Sequence, residues 1–407
     1  MILIEMKQVN RLFHKAITMV KQKKVALLIS LCNTIVLLLL SYFLNNQPLF
    51  TGENLNHFAW MEWMKGKMGL AKDTGLEDVL FINVAFDKQL TEKKDKYGMP
   101  IGNTDITDRS KLLDLLKALH STKKYKYIFL DVRFEKDYDV PTVDSTLFAE
   151  IRSMRNIVIA NHSDMEIADN CLLEKAAIND YKATITATNF VRYKYLYNSE
   201  PTMPLYAYNK LTKKSINSHV LWYSCNGRLC YNSLFIDFPL EDFEEFDSQN
   251  NKLYYNMGND LLENYSEEDI ATLTNGKYIV VGDMVEDVHD TYSGLRPGPV
   301  IMYYAFMALM KGKHLVSIKI GIMMAIVYFF ISLSQFSHRS LMELIPYVRK
   351  SNSKILHFSL SLVEYSFILT IIVMLLNIVW GQSVSILVPS TYFAIQKTII
   401  KYKRSKI

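Results

Sequence analysis

Four apolar runs, and the basic residues that punctuate them, constrain this chain more than any other feature. The first, Val25 to Leu44, precedes a long polar stretch. The others, roughly Leu315 to Phe336, Ile355 to Trp380 and Ser383 to Ile400, crowd the end. A helix needs about 20 apolar residues to cross a bilayer core. The first three runs meet that length, while the fourth is short and holds Pro389. Bare backbone cannot face lipid, so such runs read as helices.

Basic residues set the orientation. Lys7, Arg11, Lys15, Lys21, Lys23 and Lys24 precede the first run. Arg339, Arg349, Lys350 and Lys354 separate the second from the third, and Lys401, Lys403, Arg404 and Lys406 close the chain. Four crossings place all three segments on one face, which the positive-inside rule makes the cytoplasm. The expected layout is a basic amphipathic segment over 1–24, a span over 25–44 and an extracytoplasmic domain over 45–314. A span over 315–336, a cytoplasmic loop over 337–354, spans over 355–380 and 383–400 and a cytoplasmic tail over 401–407 follow. A cleaved signal peptide is the alternative for the first run, but its apolar core is long and no A-x-A site follows. Met6, Val9, Phe13, Ile17 and Val20 recur at helical spacing, as in a helix lying on the inner leaflet or a plain basic flank.

The net charge of +5 conceals an acidic middle segment and a basic remainder. The surplus therefore implies anionic lipid heads as counter-charge and no nucleic-acid partner.

Within the middle segment, strand and helix patterns alternate. Val79 to Asp87, Tyr125 to Phe134, Asn156 to His162 and Lys277 to Asp283 are β-rich apolar runs. Asp105 to Ser121, Ser145 to Met154 and Pro299 to Gly312 read as helices. Near-continuous apolar strands alternating with helices predict an α/β fold, a mainly parallel sheet covered on both faces. Asn226-Gly227, between two β-like stretches of Val220 to Phe238, signals an antiparallel hairpin insertion. A two-residue turn there sets Cys225 opposite Arg228 and Tyr223 opposite Cys230, a diagonal arrangement ill-suited to a disulfide; a looser four-residue turn would bring the cysteines together.

Asp87, Asp131 and Asp283 each end, or nearly end, an apolar strand, and Asp287, His289 and Asp290 follow the last one. In an open parallel sheet those ends line one edge, where ligands bind. Such carboxylates with an imidazole could hold a divalent cation or grip a cationic or hydroxylated ligand, or simply cap the next loop. No P-loop, GxGxxG, G-x-S-x-G or H-E-x-x-H pattern is present, and no catalytic residue is expected. Glu364, about two turns into the third run, is costly in lipid and reads as a functional group or a helix–helix lock; a partner such as Gln335 or Ser334 would make it structural.

The strand ending Val-Val-Gly-Asp, then EDVHDTYSGLRPGPV and a helix closing MKGKHL, resembles the end of a type-two CHASE domain, an extracytoplasmic sensory module of bacterial receptors. Asp287, His289, Thr291, Pro297 and Gly298 fall on its D-x-H-x-T-P and P-G pattern. The opening blocks, FINVAFD, Thr107 to Arg109 and IFLDVRF, are similar too, and the resemblance makes Asp87, Arg109, Asp131 and Phe134 signature positions. Tyr292 departs from the usual proline and Met302 from a frequent histidine. The resemblance spans about Val79 to Leu315 and implies one span before the domain and three after.

Family receptors usually continue into a cytoplasmic kinase, cyclase or phosphatase; only Lys401 to Ile407 follows the last run here. The expectation is a non-enzymatic sensory protein of the bacterial inner membrane, its domain in the periplasm. It would bind an unknown ligand, with cofactor and metal unknown, and signal through a separate protein or a homo-oligomer. The expected binding edge is Asp87, Arg109, Asp131, Asp283, Asp287 and His289, with Arg109 also readable as an ion-pair partner of one of these aspartates. A metal-assisted periplasmic hydrolase and an envelope assembly factor are the alternatives.

Overall fold

The computed structural model describes residues 2–46, 75–94, 99–136, 140–162, 166–180, 192–236, 254–291, 294–336, 353–380 and 386–404, with Met64, Lys67, Met68 and Tyr97. The chain divides into two compact units, Met1–Gln47 with Val316–Ile407, and Pro48–Leu315.

Along the chain, helix α1 (Ile2–Asn45) precedes the α/β unit. That unit contains strands β1 (Val79–Asn83), β2 (Tyr127–Leu130), β3 (Ile157–Asn161), β4 (Ala176–Ile178), β5 (Tyr254–Asn256) and β6 (Tyr278–Gly282). Its helices are α2 (Arg109–Thr122), α3 (Pro141–Ser153), α4 (Met203–Thr212), α5 (Glu267–Thr274) and α6 (Gly298–Met310). Helices α7 (Ile318–Ser334), α8 (Lys354–Trp380) and α9 (Leu387–Arg404) follow.

The six strands form one sheet in the order β5-β1-β6-β2-β3-β4. Every pairing is parallel, with Phe81 beside Val280 and Val280 beside Phe129 at its centre. Successive side chains point to opposite faces, so a continuous apolar strand needs two cores. Phe81, Phe129, Val158 and Val280 enter one core with α4 and α6. Ile82, Leu130, Ile159 and Val281 enter the other with α2, α3 and α5. Helix α6 is apolar nearly all round and deeply buried, as a central core helix must be.

Two local expectations change, and the reading of the Asn226-Gly227 turn is met. The helix expected from Asp105 begins at Arg109, because Asp108 caps it by accepting the Ser110 and Lys111 N–H groups (2.9 and 3.0 Å). Asp105 lies instead in a strand, Pro100–Thr107, paired antiparallel with Lys88–Lys94. The segment expected as a loop after Asp287 is a hairpin, Val288–Thr291 against Gly294–Pro297. The Asn226-Gly227 turn is a two-residue one, with positive φ at both residues and Cys225 opposite Arg228; both cysteines are free thiols.

In the other unit, Lys24–Asn45 and Ile355–Ile378 are long and apolar enough to cross a membrane by length and composition. Helix α7 is apolar but shorter, 17 residues. Buried polar side chains tie three of the four helices together. Asn33 donates to Ser332 Oγ (2.8 Å) and accepts from the Tyr392 hydroxyl (2.7 Å), joining α1 to α7 and α9. Gln335 Nε2 donates to the Phe393 carbonyl (3.0 Å). Interhelical bonds of this kind contribute roughly 0.6–2 kcal/mol each in an apolar surround. The side chains of Met6, Val9, Phe13, Ile17 and Val20 lie outside the described residues, as do most of the loop over 337–354 and the turn at Gly381-Gln382.

Candidate functional site

Because all six strands are parallel, their carboxyl ends share one edge. A cleft of about 640 Å³ opens there, lined by residues following β2, β3, β4 and β6. That size suits a small organic molecule.

Asp131 follows β2, whose last pairing places the Asp131 N–H on the Val281 carbonyl (2.7 Å). The residue is only partly buried as a whole, but its Oδ2 is closed off from solvent and finds no hydrogen-bond partner among the described residues. Burial first, and the neighbouring Asp287 carboxylate second, push its pKa up to about 7. An Asn179 side-chain hydrogen bond and the charges of Arg133 and His289 pull the other way and lose. Moving a carboxyl from its ordinary value near 4 to about 7 corresponds to at most ~4 kcal/mol of destabilisation of the ionised form.

Asp287 and His289 come from the loop and hairpin after β6. His289 Nε2 lies 3.2 Å from Asp287 Oδ1. The Gly298 N–H donates to the Asp287 carbonyl (2.7 Å), tying this loop to the start of α6. A Cβ at Gly298 would stand 2.1 Å from Asp287 Oδ2, so only glycine lets the carboxylate settle over that helix start, where the helix dipole favours an anion. Gly282 permits a second close approach: its Cβ would stand 2.5 Å from Pro299 Cγ and 3.1 Å from Asp131 Cβ.

The remaining expected residues are tied into the fold. Asp283 accepts the Val285 and Glu286 N–H groups (3.0 and 2.7 Å) and pairs with Lys88 (3.2 Å). Burial raises its pKa, but those N–H bonds and the ammonium outweigh it and hold the carboxyl below its ordinary value. Asp87 is buried and lines no part of the cleft. Its carboxylate accepts Lys111 Nζ (2.7 Å) and the Gly258 N–H (2.9 Å), which anchors the π-helical turn Met257–Leu262. Arg109 touches the cleft wall, yet its guanidinium stacks on Phe134 (4.5 Å), donates to the Arg133 carbonyl (2.9 Å) and faces Asp144 (3.6 Å). Its acid partner is thus a residue of α3, not one of the strand-end aspartates.

Several lining residues escaped the sequence reading. His162 follows β3 and pairs with Asp180 (3.2 Å), which follows β4 with Asn179. The strand-end rule that found Asp131 would have found His162 as well; β4, three residues long, carries too little periodicity to be read. Tyr193, deeply buried, closes one side, and its phenol is raised well above its ordinary value by burial. Glu364 pairs with Lys397 of α9 (3.3 Å), while Gln335 donates to the Phe393 carbonyl. Among the described residues no three His, Cys, Asp or Glu side chains converge to hold a metal ion. Comparison with protein-family models, curated proteins and solved structures gives no match, so the likeness to type-two CHASE domains rests on this chain's own residues.

Proposed function

We propose that this chain is a membrane-anchored sensory protein whose α/β unit is a type-two CHASE-like domain binding a small ligand in the strand-end cleft. The observation that carries the reading is the convergence of Asp131, Asp287 and His289 at one cleft from blocks far apart in sequence. Open parallel sheets bind ligands at that edge, and Asp131, Asp287 and His289 all line the cleft there.

Four crossings hold the domain on the periplasmic side of a bacterial inner membrane. Two helices meet the length and composition of a span. Polar contacts within the four-helix unit, including Glu364 with Lys397, support grouping α7 and α9 with them. The basic segments favour a cytoplasmic N-terminus and tail. Ligand binding biases two states of the domain, and a separate signalling protein or a second copy reads them.

A thermal-shift screen of the full chain in detergent against small metabolites tests the ligand site. A compound-specific rise in melting temperature, lost in Asp131→Asn, supports it; a well-folded protein that no compound shifts would sink it. An alkaline-phosphatase reporter fused after residue 407 tests the crossings. Four crossings leave it inactive in the cytoplasm, and an active reporter contradicts them.

A further inference from the structure

We propose, resting on the ligand-site reading above, that the cleft takes a small organic amine, its ammonium seated between the Asp131 and Asp287 carboxylates.

The charge pattern of the wall points there. Each long cationic side chain in it is already engaged by an acid: Lys88 by Asp283 (3.2 Å), Arg133 by Glu135 (3.4 Å) and Arg109 by Asp144 (3.6 Å). Asp105, Asp131 and Glu286 line the same cleft and have no lysine or arginine ion pair among the described residues. The cleft therefore carries surplus negative charge, which disfavours a carboxylate or phosphate ligand and attracts a cation.

The paired acids give the cation its seat. Asp131 and Asp287 both line the cleft and bring carboxylate acceptors to its wall. An ammonium brings three donors and no acceptor, enough to serve two carboxylates at once. Asp287 is close enough to raise the Asp131 carboxyl, so the two acids repel, and a positive charge between them relieves that repulsion. No described trio of ligating side chains suits a bare metal ion. Buried Tyr193 and Met302 supply apolar wall against which a carbon chain packs. A cavity of about 640 Å³ exceeds what an ammonium ion alone would fill and matches an amine with an organic body.

The test is calorimetric titration of the full chain in lipid nanodiscs with putrescine, lysine and ethanolamine, beside succinate and glucose. The proposal expects heat from at least one amine and none from succinate. Affinity for that amine falls at least about tenfold in Asp131→Asn, the loss of a charged hydrogen bond, and similarly in Asp287→Asn. Both variants must keep the cooperative melt of the parent. Amine binding unchanged in both well-folded variants overturns the assignment. So does a response to succinate or glucose with silence from the amines, which leaves the ligand-site reading standing. Silence from all five compounds overturns the amine assignment and the ligand-site reading together.

Discussion

Asp87 and Asp131 follow two apolar strands of one sheet, β1 and β2, on either side of β6, and their carboxylates meet opposite fates. The loop after β1 turns Asp87 inward, where Lys111 and the Gly258 N–H saturate it. After β2, Asp131 keeps one oxygen buried with no donor, beside a second acid. The first is a latch joining β1, α2 and the turn before α5. The second stores electrostatic strain at the cleft, the pattern expected where a site is arranged for binding rather than for stability. An acid at a strand end is therefore structural or functional according to what other segments bring to it.

Substitutions on the latched side should cost most. Arg109→Ala strips the cation from Asp144 and the stacking surface from Phe134, leaving a buried carboxylate unpaired. We expect a loss of about 3–5 kcal/mol, seen in chemical denaturation of the full chain. A loss below ~1 kcal/mol would show that the stack is dispensable.

The strained side should reveal itself through pH. The groups facing Asp131 include Asp287 and His289 from the hairpin side, Arg133 beyond its own strand, Asn179 after β4 and the Tyr193 phenol. Its carboxyl is raised to about 7, so between pH ~4 and ~7 the folded state holds a proton that the unfolded chain has released. Stability from this group is therefore full below pH ~4, falls as pH rises and levels off above ~7, by at most ~4 kcal/mol. Melting temperatures across that range, for the parent and Asp131→Asn, isolate the contribution: the parent's downward slope should flatten in the variant.

Asp87→Asn should lose about 2 kcal/mol, since a charge-assisted bond to Lys111 becomes a neutral one. Gly298→Ala is subtler, because the new Cβ must push Asp287 off the start of α6. We expect about 1–2 kcal/mol of destabilisation. With Asp287 displaced, the Asp131 pKa should fall toward its ordinary value, which NMR titration of the carboxyl would show.

Much of the α/β unit was legible in the chain because β1, β2, β3 and β6 are apolar on both sides. Such strands bury in two cores, and their composition announces it. The Lys88–Lys94 and Pro100–Thr107 ribbon was not, since its largely exposed residues alternate without an apolar face. His289 was singled out, but its hairpin was hidden: Val288 to Thr291 is polar, and only Gly294 at positive φ marks the turn. The different fates of Asp87 and Asp131 were unreadable in principle. Lys111, Gly258 and Asp287 reach them through tertiary folding, which local pattern does not encode. Lys397 was overlooked because it sits in an apolar run, where its acid partner is the only clue to its place.

The most direct measurement is the melting temperature of Asp131→Asn at pH 8, beside Asp87→Asn and the parent. If Asp131 is kept for a ligand and not for stability, its neutral isostere melts at or above the parent while Asp87→Asn melts below it. If Asp131→Asn loses as much stability as Asp87→Asn, the buried carboxylate is a latch like the other, and the cleft loses its claim to be a binding site.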